Sequence, residues 1–148
     1  MYCHLHLRQG TVYVPTMGKV DKGFYRGVEP VAVVSASNTE SLRQGLRAAI
    51  ARGNPSVPRL RRSEYPPPVL LKYAGVKSWS TFQQGMSTWS IKEKNGSYEI
   101  VGYRRHLTSR SSVEDPDQKI EFPAGTAVDS VVERMIAILQ EAARQRPS

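Results

Sequence analysis

Two hydrophobic periods alternate along the chain. Tyr2 to Leu7 alternates in twos, with Cys3, Leu5 and Leu7 on one face and Tyr2, His4 and His6 on the other, as a half-covered strand requires. Gln9-Gly10 reads as a turn, and Thr11 to Val14 returns with Val12 and Val14 on one face. Met17 to Lys22 reads as a loop, with Gly18 and Gly23 as breakers. Phe24 to Arg26 and Val31 to Val34 are further strand candidates, the second rich in β-branched residues that suit a pleated surface. The period then lengthens. Ser37-Asn38-Thr39-Glu40 has the capping-box spacing, in which Ser37 and Glu40 can satisfy orphan helix-end amides. Leu42, Leu46, Ala49 and Ile50 form a helical stripe, with Arg43, Arg47 and Arg52 mostly off it and Gly53 as the stop.

Pro55 to Pro68 is a connection rich in proline and arginine, and Pro66-Pro67-Pro68 favours an extended polyproline path. The theme then repeats. Val69 to Ala74 predicts a short helix ending at Gly75. Trp89 to Lys94, Asn95-Gly96 and the return through Tyr98, Ile100 and Gly102 predict a two-residue hairpin, because both turn positions must accept positive φ. That register sets Ile91 opposite Ile100, and Lys92 opposite Glu99 as an ion pair. Lys119 to Phe122 predicts a late strand. Thr126 to Asp129 has capping-box spacing, and Val128, Val131, Val132, Met135 and Leu139 form a second helical stripe before a fraying end at 144–148. The expected architecture is α+β in a single domain spanning 1–148: a lobe at 1–54, a connection at 55–68 and a lobe at 69–148. Two antiparallel sheets packed at a steep angle, each half closed by one helix in a quasi-repeated order, would use both stripes.

Composition narrows the class. The 148 residues are 39% hydrophobic and 23% charged, an ordinary globular balance, and no apolar run approaches the length of a membrane span. Met1 to Gly10 carries two histidines and an arginine and does not read as a signal peptide, so the cytoplasm is the expected compartment. A single cysteine, Cys3, permits no internal disulfide. The net charge of +8 favours an anionic partner. Residues 1–54 hold seven basic and three acidic side chains and residues 55–148 hold fourteen and ten, so each part is +4 and the excess is no basic tail.

Catalytic and metal chemistry find little support. His4 and His6 share a strand face, but a metal needs a third ligand, so the pair is expected to be surface or half-buried. Cys3 lacks an activating neighbourhood and reads as core. Glu114, Asp115 and Asp117 lack the spacing of a calcium loop and read as solvated. No phosphate loop, nucleophile elbow or zinc-protease motif occurs, so neither an enzyme nor a cofactor is expected.

Binding surfaces are better represented. Arg59, Arg61 and Arg62 lie beside Tyr65, Lys77 precedes Trp79 and Phe82, and Arg104, Arg105 and His106 follow Tyr103. Basic residues interleaved with aromatics suit single-stranded nucleic acid, and they suit a protein interface equally well. Trp79, Phe82, Trp89 and Tyr98 also fit a plain core role.

The run Leu70-Leu71-Lys72-Tyr73-Ala74-Gly75-Val76-Lys77-Ser78-Trp79-Ser80-Thr81-Phe82 resembles the immunity proteins of bacterial contact-dependent growth inhibition, the CdiI family. The strand Trp89 to Lys94, the Asn95-Gly96 turn and Gly102-Tyr103-Arg104-Arg105 continue the likeness, and Lys22-Gly23-Phe24-Tyr25 before Glu29-Pro30-Val31 precedes it. It spans roughly residues 11 to 140. The resemblance implies a non-catalytic protein that binds the C-terminal toxin domain of a CdiA effector, often a nuclease and commonly one that cleaves tRNA. It also implies a fold similar to the Whirly single-strand-binding proteins. Many nuclease immunity proteins are acidic, whereas this chain is strongly basic. The expected contact is therefore local: Arg104 and Arg105, or Arg59, Arg61 and Arg62, with Lys77 and Tyr103 as further candidates, set against a carboxylate-lined toxin site. A single-stranded nucleic-acid-binding module is the alternative.

Overall fold

The computed structural model describes residues 1–21, 23–105 and 112–145, Arg105 by its backbone alone; Lys22, His106 and residues 146–148 lie outside them. The strands are β1 (Tyr2–Arg8), β2 (Thr11–Asp21), β3 (Phe24–Ser35), β4 (Ser87–Lys94), β5 (Ser97–Arg105) and β6 (Ser112–Glu121). The helices are α1 (Thr39–Arg52), α2 (Leu70–Ala74), α3 (Trp79–Gln83) and α4 (Val128–Gln145), with a single 3-10 turn at Arg62–Glu64.

The six strands form one antiparallel sheet in the order β3-β2-β1-β4-β5-β6. The expectation of two sheets is corrected by the pairing of β1 with β4, continuous from Tyr2 opposite Lys92 to Leu7 opposite Ser87. Left apart, those two strands would each present a row of unpaired N–H and C=O groups; joined, they satisfy one another and fuse the halves edge to edge. This pairing does not confirm the Whirly-like arrangement. The quasi-repeat survives as three strands and a helix on each side of the β1–β4 seam.

The faces of β1 divide as its alternation dictates. Cys3, Leu5 and Leu7 join Val12, Val14, Trp89, Ile91 and Ile100 under the stripes of both long helices, through Leu42 and Leu46 of α1 and Val131, Val132, Met135 and Leu139 of α4. The helices therefore lie side by side on one face instead of closing separate ends. Arg43 bridges them through Glu133 (2.7 Å), as does Arg47 through Asp129 (2.9 Å). The N-cap of α1 is Asn38, whose Oδ1 accepts from the Ser41 amide at 3.1 Å, while the Ser37 hydroxyl is engaged with that of Ser35. Among the described residues no helix is long and apolar enough to cross a membrane.

The hairpin holds the register expected of it, Ile91 opposite Ile100 and Lys92 opposite Glu99. Two other strands run further than their local pattern suggests. β6 reaches back to Ser112 by bulging at Pro116–Gln118, where the side chain of Gln118 crosses Gly102; a Cβ there would lie 2.6 Å from Gln118 Oε1. β2 continues to Asp21 through the stretch expected to be a loop. Gly18 sits inside it because the connection passes over its α-carbon, with Lys19 donating to Pro55 O (2.8 Å) and Val57 donating to Lys19 O (3.0 Å). β1 and β2 pair only from His6–Arg8 to Thr11–Tyr13, and beyond that Asn54 bridges them, donating to Tyr2 O and Met17 O at 2.8 Å each and accepting from the Tyr2 amide. A β-carbon at Gly18 would fall 2.6 Å from a methyl of Val57, a stiff β-branched neighbour. Gly18→Ala is expected to destabilise the fold by about 1–3 kcal/mol, measured by urea unfolding. Adding Val57→Ala should restore most of the loss; an unchanged midpoint in the single variant would mean that the connection shifts freely.

Candidate binding groove

The second face of the sheet is built differently. Its central residues are Tyr2, His4 and His6 on β1, Tyr13 on β2, Thr88 and Ser90 on β4 and Tyr103 on β5. Two short helices cover part of it. Gly75, at φ 68°, ends α2, and Ser78 starts α3 by accepting the Thr81 amide on its hydroxyl at 3.1 Å. The Lys77-Ser78-Trp79 run is thus a helix-to-helix joint. It turns Trp79 to stack on Phe82, with ring centroids 5.1 Å apart, and leaves Lys77 exposed. Phe82 is fully buried against Tyr13, Leu70 and Leu71. A five-residue helix is too short to show a period, which is why α3 is absent from the sequence reading.

His6 lies edge-on to both Phe82 and Trp79, and its Nδ1 shares a 3.0 Å hydrogen bond with the Thr88 hydroxyl. It is buried at 4% exposure, a correction to the surface or half-buried position expected of it, because α3 covers this end of the face. His4 neighbours it at 4.7 Å between centroids and touches Tyr2 and Tyr103 at 5.6 Å. Burial, aided by the Lys92 charge, pulls His4 down to about 4 and holds His6 well below its ordinary value. Both imidazoles are therefore neutral at physiological pH. Among the described residues no third histidine, cysteine or carboxylate joins them as a metal cluster. Burial also pushes the Cys3 thiol up to about 12, so it is packed as a hydrophobe and not activated.

Where α2 and α3 end, a cavity of about 1190 Å³ opens over His4 and His6. One wall is the long β2–β3 arm, through Met17, Val20, Phe24 and Val28. The opposite wall is Pro66–Pro68, Leu71, Val76 and Trp79. The prolines suit this path, since an extended segment without N–H donors crosses a surface with fewer groups to satisfy. Phe24, at 68% exposure, and Tyr25 stand at the mouth. Lys72 and Tyr73 both engage the Glu29 carboxylate, holding it below the usual carboxylate range. A smaller cavity of about 610 Å³ continues past Tyr25 to Tyr2 and Tyr103.

The residues expected to bind a partner separate into three places. Lys77 and Trp79 line the groove, and Ser78 caps the joint between them. Arg59 pairs with Asp21 at 2.9 Å beyond the Tyr2 end of the sheet, followed by Arg61, which faces Glu64 at 3.9 Å, and by exposed Arg62. Tyr103 lies mid-face with its hydroxyl 3.0 Å from that of Ser90. Arg104 alternates to the other face near the Leu7 end of β1, and the Arg105 side chain lies outside the described residues. Asp115 sits low in pKa from Gln118, the Asp117 amide and the Arg104 charge. The two arginine groups are thus at opposite ends of the strands and do not form one patch. The groove itself went unread, because three separate segments build it. The one available signal was the apolar pair Phe24-Tyr25 after a glycine.

No family model matches the chain, and no curated protein matches it. Solved structures do. A protein of unknown function from Neisseria meningitidis, NMB0488, superposes with a TM-score of 0.62 at 14% identity, over 99% of this chain and 94% of that one. A chain of the CdiA-CT/CdiI toxin and immunity complex from Yersinia pseudotuberculosis superposes with a TM-score of 0.59 at 12% identity, over 99% of this chain and 97% of that one. At such identities the likeness is one of fold.

Proposed function

We propose that this chain is an immunity protein that binds and neutralises the C-terminal toxin domain of a CdiA effector, without catalysis and without a cofactor, in the cytoplasm of the cell that makes it. The observation that carries the proposal is the full-length similarity of fold to a chain of a toxin and immunity complex. The Leu70–Phe82 run supports it independently, since its residues build the helix joint and one wall of the groove. The toxin is a nuclease in this reading, tRNA cleavage being one activity that such toxins have. Fold alone does not assign function, so the sequence run and the groove matter to the argument.

The +8 charge gives the contact its expected sign: the toxin presents carboxylates where the two meet. Arg59, Arg61 and Arg62 form one candidate contact, and Tyr103 with Arg104 and Arg105 forms the other. The groove mouth with Lys77 and Trp79 lies between them along the sheet. Removing an arginine paired and buried at such an interface costs about 2–5 kcal/mol. One of two variants, Arg104→Ala with Arg105→Ala or the Arg59/Arg61/Arg62 triple alanine, is expected to weaken toxin binding by that amount, read by calorimetric titration. Wild-type affinity in both, at low and high salt, would remove the arginines from the interface.

The test of function is protection. Cells making the cognate CdiA toxin domain should survive when they also make this chain, and should die when they make an unrelated immunity protein. Death in both cases would end the proposal. The second reading, a single-stranded nucleic-acid binder, draws on the positive charge and the exposed rings of Tyr25 and Tyr65. It predicts affinity for labelled single strands that collapses as salt rises.

A further inference from the structure

The two edges of the sheet are finished differently. β6, at one edge, carries Glu114, Asp115, Asp117 and Glu121, with Pro116 and a bulge along its length. Charge, proline and irregularity are the usual means of keeping another strand away from an edge. β3, at the other edge, has none of them over Val31-Ala32-Val33-Val34-Ser35, a run without a charged side chain in a chain of net charge +8. Val33 is 43% exposed there. The backbone groups of this run divide by alternation. The Ala36 amide donates to Gly10 O, and in the same register Val34 and Ala32 lie opposite Val12 and Val14, so these residues turn their amides and carbonyls toward β2. Val31, Val33 and Ser35 therefore turn theirs outward, away from the sheet. Two of those groups are occupied: the Glu29 carboxylate faces the Val31 amide, and Ser35 O accepts from the Asn38 amide at 3.0 Å. Among the described residues nothing bonds the rest, which are Val31 O, the Val33 amide, Val33 O and the Ser35 amide.

We propose that β3 is a self-association edge, at which a second copy of this chain adds its own β3 antiparallel about a two-fold axis through Val33. In that register Val33 lies opposite Val33 and each amide donates to the other's carbonyl, while the Ser35 amide of each copy reaches Val31 O of the other. Every free group on the strand is then used. The occupied groups, Val31 N–H and Ser35 O, are the ones that would otherwise have met across the axis, so no existing contact is displaced. An axis at Val31 or at Ser35 would instead need a group that is already taken. The charge agrees: the two basic chains meet along a segment where each is neutral, whereas β6 paired with itself would bring carboxylates together. On the helix side, Gly45 of α1 packs over Ala32 and Val34, and its neighbours at helical spacing are Ser41 and Ala48, so small side chains border the edge. The strip is narrow, and the dimer is accordingly weak and concentration-dependent. It stands apart from the immunity reading and involves no toxin.

Sedimentation equilibrium of the natural chain should show a reversible monomer–dimer equilibrium with a Kd between about 1 μM and about 1 mM. Val33→Lys sets like charges against each other across the axis and should weaken the dimer at least about tenfold, as should Val33→Glu. Mixing the two variants should restore it, because each charge then meets its opposite. Cross-linking tests the register. Val33→Cys places two thiols on residues about 5.5 Å apart between α-carbons, within disulfide reach, whereas Ser35→Cys faces Val31 of the other copy and lies well away from its own equivalent. Under mild oxidation Val33→Cys should form covalent dimer at least about tenfold faster than Ser35→Cys, and the natural Cys3 is buried and takes no part. Thermal midpoints show whether each variant is folded. If a charged variant does not fold, the comparison of the two cysteine variants still decides. A monomer at every concentration up to about 1 mM, a dimer that survives Val33→Lys unchanged, or equal cross-linking by the two cysteine variants overturns the proposal.

Discussion

Replacing Phe82 by alanine is expected to cost about 3–5 kcal/mol of folding stability, a large part of the roughly 5–15 kcal/mol that a domain possesses. The ring is wholly buried and forms the hub of the second face. It stacks on Trp79, meets Tyr13 edge-on at 5.4 Å and meets His6 edge-on at 5.8 Å. Its removal leaves a cavity that the stiff sheet below cannot close, and α3 has only five residues with which to resettle. Because Trp79 stands on Phe82, the groove wall should loosen as well, so the variant should lose partner affinity beyond what its unfolded fraction explains. Phe24→Ala is the control. That ring is 68% exposed, and its loss should change stability by no more than about 0.5 kcal/mol. Urea unfolding of the two variants separates them, and similar midpoints would show that α3 is not seated as described.

The second large effect is on acid stability. In the unfolded chain each imidazole takes up a proton near 6.5, whereas in the folded chain burial keeps His4 neutral down to about 4 and holds His6 well below its ordinary value. Between those values the unfolded state binds more protons, so stability is complete above the unfolded value and falls as pH falls. From about pH 7 to about pH 5 His4 should remove roughly 2 kcal/mol, and His6 should deepen the drop in the same direction. Glu29, Glu133 and Glu141, with values below 4.5, stay ionised in the folded state over that range and do not mimic the effect. Unfolding free energies of the natural chain and of His4→Gln with His6→Phe, measured at both pH values, decide the matter. The variant should show a much shallower drop. Equal drops, or no drop in the natural chain, would mean that the two rings are not held neutral by burial.

These two histidines also mark where local pattern stops informing. The alternation from Tyr2 to Leu7 placed them on one face, which is how they lie. It could not show that α3 covers them, because that contact joins residues 76 apart in sequence, from His6 to Phe82. The hairpin was legible down to individual pairs, since Asn95-Gly96 fixes its register locally. The fusion of the two halves was not. It rests on β1 and β4 meeting across some eighty residues of chain, which no neighbouring residue encodes. Gly18 shows the same limit: a glycine within a strand looks like a breaker until the segment that passes over it is known. The binding residues divide likewise. Lys77, Ser78 and Trp79 were legible as a run and lie together at the joint between α2 and α3, whereas the arginine groups, similar in sequence, lie at opposite ends of the sheet.

The central claim is a protein complex, and solution affinity measures it most directly. The purified C-terminal toxin domain of a candidate cognate CdiA effector, titrated calorimetrically at low salt and again at about 0.5 M salt, should give a one-to-one complex at both, as an interface of ordinary size does. Toxin activity should vanish at equivalence. No complex at either salt, together with salt-sensitive binding of labelled single strands, would contradict the account.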